Sequence, residues 1–249
     1  MEVHWEKQAL PPRVLWYEAQ GETAKLLQPA VEAFATACLP LAQFYHEERL
    51  LVEGKLCLRL AGGLNYIGLV FHEWYPQLPP PAICATEGLH PLRPAGQQRV
   101  ASLLSGGVDG LTTLHQNRLD YPQDHPESIR DCLCLFGYSG LDCINDQAIP
   151  ERLAWFEQTL VRLQGLAEEE KFRLHGLRTN VRNLAPHYKY WTMMGFGAAH
   201  CAVSHLFQGT LSKVLFASDG DGHNPPPGAM HPLFNHHFST DAIAIQSLR

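Results

Sequence analysis

The sequence predicts an α+β fold: an antiparallel sheet flanked by helices, broken by a long insertion and followed by an α/β extension. Three observations predict it. Residues 50–60 end in strand-like alternation, a proline-rich elbow at 75–80 separates two apolar runs, and residues 150–166 carry an amphipathic helical pattern.

The elements follow in order. Residues 23–44 are rich in Ala and Leu, with Leu26, Leu27, Ala30, Val31, Phe34 and Cys38 at helical spacing; Pro29 and Pro40 predict a kinked helix or two short ones. Leu56, Leu58 and Leu60 then alternate with Cys57 and Arg59, as in a half-buried strand. Gly62 and Gly63 read as a turn, with 65–72 as the antiparallel partner strand and 81–86 as a short strand beyond the elbow. Residues 90–128 are polar, with Gly106-Gly107 and several prolines, and predict a short helix at 97–104 within loop. Cys132 to Phe136 is a brief apolar strand, followed by a turn through Gly137 and Gly140. Leu153, Trp155, Phe156, Leu160 and Leu163 share one helix face after Pro150, which suits a first-turn position. Past Glu168 the composition shifts to Gly, His and aromatics, placing a boundary there: a first unit at 1–168, with an insertion at about 92–124, and an extension at 169–249.

Composition narrows the function. A formal charge of −6 without a block of Lys or Arg argues against nucleic acid or an anionic membrane as partner. No apolar run approaches the roughly 18 residues that span a bilayer, and the first residues lack a signal-peptide pattern, so a cytoplasmic protein is expected. Seven cysteines are an odd number without an export signal; Cys38, Cys57 and Cys84 sit in apolar segments and read as core.

The elbow Tyr75-Pro76-Gln77-Leu78-Pro79-Pro80 is stiff, because each proline fixes φ and biases the preceding residue to an extended conformation. Tyr-Pro-x-x-Pro-Pro after an apolar run resembles the turn of ubiquitin-conjugating enzymes and their bacterial relatives. Leu133-Cys134-Leu135, downstream of His125-Pro126 and upstream of the 150–166 helix, resembles the nucleophile setting of the bacterial members. The resemblance covers about residues 20–168. It implies a conjugating enzyme that accepts a ubiquitin-like modifier on Cys134 from a ThiF-type activating enzyme and passes it to a target amine. A JAB-type isopeptidase in the same operon, and a role in antiphage defence, are implied with it; no cofactor is. Cysteine suits the chemistry, since its thiolate is both a strong nucleophile and a good leaving group.

Cys132 is the alternative nucleophile, because residues two apart on a strand face the same side, and Cys143 is a further candidate. His125 would tune the thiol. A second His-Pro pair, His90-Pro91, stands after the elbow, and neither pair continues with the asparagine the resemblance calls for; Asn117, Asn145 or backbone donors near Gly137 are the substitutes. Two other readings remain open. One is an inactive scaffold of the same fold. The other is a metal-binding protein using His200, His205, His223, His231, His236 and His237, although His200 and His205 are five apart and miss the helical i, i+4 spacing of a zinc pair.

Overall fold

The computed structural model describes residues 1–91, 99–139, 142–144, 147–185, 187–217 and 227–248. In chain order, β1 is Tyr17–Ala19, α1 Val31–Phe44, β2 Arg49–Val52, α2 Leu58–Trp74, β3 Ala82–Ala85, β4 Arg99–Leu103 and α3 Val108–Asp120. There follow β5 Ile129–Phe136, α4 Pro150–Glu170, β6 Arg173–Thr179, α5 Phe196–His205, β7 Leu211–Ala217 and β8 Ala244–Leu248.

The main sheet runs β8-β7-β4-β5-β6-β1. Its first five strands are parallel; β1 alone is antiparallel, pairing Ala19 with Leu177. β5 lies at its centre, and six of its eight residues are buried, as expected of a parallel strand covered on both faces. Leu133, Leu177, Val214 and Phe216 point into one core with residues of α1, α2 and α5. Cys132, Cys134, Phe136 and Leu215 point into a second core with Leu114 of α3 and Phe156 and Leu163 of α4. The crossovers β4–α3–β5 and β5–α4–β6 thus cover one face, whereas α5, between β6 and β7, covers the other. The winding reverses at the border of β4 and β7, where a crevice opens beyond the carboxyl ends of the strands.

The mixed helix and strand content agrees with the expectation, and several particulars differ. The sheet is mostly parallel, not antiparallel. Residues 65–72 lie inside α2, where Leu60, Leu64, Ile67 and Phe71 are buried at helical spacing. Gly63 is helical rather than a turn; a Cβ there would lie 1.8 Å from the His237 carbonyl oxygen, so only glycine allows that approach. The helix expected at 97–104 is strand β4 from Arg99 onward, with 97 and 98 outside the described residues. The span 92–124, read as an insertion, contains β4 and α3, two central elements. The division expected after 168 runs through the sheet, since β6 and β7 pair with β5 and β4. The helical pattern at 23–44 does divide around Pro29, where a short helix Gly21–Ala24 precedes α1, whereas α1 continues through Pro40.

The elbow follows a helix instead of a strand. The Tyr75 amide closes α2 onto the Phe71 carbonyl, and Gln43 Nε2 donates to both Gly68 O and Leu78 O, at 2.9 and 3.0 Å. It then leads into β3, which pairs in parallel with β2, Arg49 opposite Ala82.

Candidate functional site

β4 delivers the chain into Ser105-Gly106-Gly107-Val108-Asp109-Gly110 at the point where the winding reverses. Leu104 N still donates to Leu133 O at 2.9 Å, so the strand edge is held up to the loop. Gly106 has φ +83°, a left-handed conformation that costs a side-chain-bearing residue energy and glycine little. Gly107 precedes the first turn of α3, and among the described residues no side chain caps that turn. The first in-helix donor is Leu111 N, to Gly107 O at 3.2 Å, so the amides of Val108, Asp109 and Gly110 have no intrahelical acceptor. Gly110 lets α3 press on the strand, because a Cβ there would lie 2.9 Å from Leu103 O.

These amides sit beside a crevice of about 300 Å³ lined by Ser105, Asp109, Tyr138, Phe196, His200 and Phe216, among others. Three distant segments supply its walls. Gly137, at φ +97°, turns the chain out of β5, and Tyr138 then donates its hydroxyl to Ala199 O at 2.9 Å. A π-helical turn at Trp191–Gly195 precedes α5, a local rephasing common at functional sites. His200 stacks obliquely on Tyr138 and Phe196, at 4.5 and 4.2 Å between centroids. Its Nδ1 donates to Phe196 O at 2.8 Å, a carbonyl being only an acceptor, which leaves Nε2 as an acceptor on the neutral ring. Enclosure by apolar rings holds its pKa well below the usual histidine value, so the ring is neutral at pH 7. No Lys or Arg lines the crevice among the described residues. A ligand anion there would be met by amide dipoles.

The thiols singled out from the sequence lie elsewhere. Cys134 is 2% exposed and Cys132 0%; both face the core beneath α4, on the same side of β5 as the period-two rule requires. Burial pushes the Cys134 thiol up to about 11 and that of Cys132 up to about 12, the opposite of an activated nucleophile. Cys132 Sγ lies 3.6 Å from Ser102 Oγ. Cys143 is also buried. His125 sits before the amino end of β5, stacked on Tyr121 and accepting the Glu127 amide on Nδ1, and is not brought to Cys134. Asn117 is buried and holds the same turn, donating to Glu127 O and accepting from Ile129 N. Asn145, Gly140 and His223 lie outside the described residues. The Gly137 amide, a candidate donor, is spent on Asp142 at 3.0 Å. Among the described residues, no three His, Cys, Asp or Glu side chains converge as a metal-binding group. His205 is fully buried, and His237 stacks on Tyr66.

The sequence does carry a signal for the crevice. Val100 to Leu104 is an apolar run that meets a Gly-Gly-x-x-Gly segment, and Leu111 and Leu114 continue at helical spacing. Strand, glycine-rich loop and helix in that order mark a phosphate cradle when they occur together.

Of the seven cysteines, Cys84 alone is not fully buried. Under native conditions a maleimide is therefore expected to label about one thiol, lost in Cys84→Ser, with Cys132 and Cys134 reacting only on unfolding. Intact-mass measurement checks this; native labelling of Cys134 at the Cys84 rate would contradict its burial. Comparison with family models, with curated proteins and with solved structures finds no match for this chain.

Proposed function

We propose that this protein binds a nucleoside phosphate, with the phosphates on the 105–110 loop and the base among Tyr138, Phe196 and Phe216, and that this crevice is its active site. One observation carries the reading: a glycine-rich loop with a left-handed Gly106 runs into the uncapped amino end of α3 where the winding of the sheet reverses. Open α/β sheets bind ligands at that place, and the amino end of a helix favours anions. The aromatic wall suits a planar base, and about 300 Å³ is at the lower end of small-molecule sites. Asp109 lies in the same crevice and would repel a bare phosphate. A carboxylate beside a phosphate cradle calls for a divalent cation between them, so the ligand is read as a magnesium-bound nucleotide.

The thioester-carrier reading is not adopted, because Cys134 lies beneath α4 and its thiol is disfavoured as a thiolate. A non-reducing gel with activating enzyme, ATP and modifier tests it directly; a thiol-sensitive adduct lost in Cys134→Ala would restore it.

Titration with a fluorescent ATP analogue tests the nucleotide reading. Gly107→Val adds a branched side chain to the loop proposed to carry the phosphates, with its Cβ 3.3 Å from Ser105 Oγ, and is expected to weaken binding at least about tenfold, or about 1.4 kcal/mol. Asp109→Asn is expected to remove the magnesium dependence. No binding by the wild type at millimolar nucleotide, or equal binding by Gly107→Val, would reject the proposal.

A further inference from the structure

We propose a second anion site, for a phosphate or small phosphomonoester, at the opposite edge of the sheet. There the amino ends of three neighbouring strands carry arginine: Arg99 opens β4, Arg130 is second in β5, and Arg173 opens β6. With His125 and Pro126 they line a cup of about 250 Å³. The register holds the arrangement, since Arg173 stands opposite Asp131 in the parallel β5–β6 ladder.

The charges within the cup do not cancel. Asp131 is 0% exposed and is the carboxylate that Arg99 and Arg173 share. Arg99 donates Nε and Nη2 to it at 2.7 and 3.1 Å, Arg173 approaches with Nε at 3.2 Å and Nη2 at 3.4 Å, and His175 Nε2 lies 2.8 Å from Oδ1. Both guanidiniums thus spend the Nε–Nη2 edge on Asp131, and among the described residues their Nη1 donors have no hydrogen-bond acceptor. Arg130 has no carboxylate partner among the described residues. Of the nearby acids, Glu127 is engaged with Lys213 and Glu170 with Arg118. Three guanidiniums line the cup and the one carboxylate bound there, Asp131, engages two of them, which leaves positive charge unmatched on a protein whose net charge is −6. Arginine forks lining one cup, with the Arg99 side chain 21% and the Arg173 side chain 53% exposed, suit a tetrahedral oxyanion better than a single carboxylate.

His125 adds a donor. Its Nδ1 accepts the Glu127 amide at 3.1 Å, so the ring proton resides on Nε2 in the neutral form. The cup is built from side chains at the amino ends of the strands, apart from the crevice at their carboxyl ends, and its occupancy is independent of the nucleotide reading.

Calorimetric titration of the full chain with inorganic phosphate and with glycerol 3-phosphate, at constant ionic strength set by chloride, tests the site. Arg130→Gln leaves the Asp131 contacts intact, so the variant should fold, and is expected to weaken binding at least about tenfold, the loss of one charge-assisted contact. Gly107→Val, on the 105–110 loop, should leave this binding unchanged. Binding of both ligands identifies a phosphomonoester site, and binding of inorganic phosphate alone a site for the free ion. The proposal is overturned if the wild type binds neither ligand, if Arg130→Gln binds as the wild type does, or if Gly107→Val abolishes binding.

Discussion

Asp131→Ala is expected to lower stability by about 3–5 kcal/mol, because removing this fully buried carboxylate leaves Arg99 and His175, both largely buried, without their partner. The carboxylate is enclosed at the amino ends of three strands and holds Arg99, Arg173 and His175 together. Burial alone would raise its pKa. Hydrogen bonds from His175 and Arg99, with the charges of Arg99 and Arg173, override that effect and hold it below the ordinary 3.8. Because the folded value is the lower one, the ionised carboxylate stabilises the protein above the unfolded pKa. That contribution is lost as pH falls through the folded value, below 3.8. Asp131→Asn, which keeps the shape and removes the charge, should therefore be clearly less stable than the wild type at pH 7 and approach it in strong acid. Urea unfolding at a series of pH values measures both. A constant difference down to the lowest pH would mean that the cluster is not held by the charge.

Gly137→Ala is expected to cost as much, by another route. Gly137 leaves β5 at φ +97°, and a Cβ there would lie 1.7 Å from the Thr179 carbonyl oxygen and 2.8 Å from its carbon. The left-handed backbone costs an alanine about 1–2 kcal/mol, and pushing the end of β6 away adds about 1–3 kcal/mol, the usual range for overpacking. For a chain of this size each kcal/mol lowers Tm by about 2–4 °C, so a fall on the order of 10 °C is expected in a thermal melt. The same change should displace Tyr138, the next residue, from the crevice. Nucleotide affinity should fall with stability; a variant that melts as the wild type does would show that the strand end can yield.

Several elements were legible because their signal is local. α4 follows from apolar residues at helical spacing after a proline, and Ile149 precedes Pro150 as its cap residue. β5 follows from a short apolar run, and the shared face of Cys132 and Cys134 from the period of a strand. Pro40 argued for a break that does not occur; α1 packs against α5, both helices carry buried small side chains such as Ala33, Ala37, Ala198 and Ala202, and that packing outweighs the lost hydrogen bond. Residues 65–72 show the limit of periodicity, since a short apolar run fits a strand or a buried helix equally well until its neighbours are known.

By itself, then, the sequence determined the mixed α and β content, the position of α4, the strand at 132–136 and the stiffness of the elbow. Tertiary structure decided the rest: that the sheet is mostly parallel, that residues after 168 complete it, and that Cys134 lies beneath a helix. It also decided that Ser105, Tyr138, Phe196 and Phe216, spread over more than a hundred positions, meet in one crevice. The reason is physical. Periodicity and turn chemistry report the free energy of a few neighbouring residues, whereas the pairing of β4 with β7 is selected by how much apolar surface two distant segments bury together.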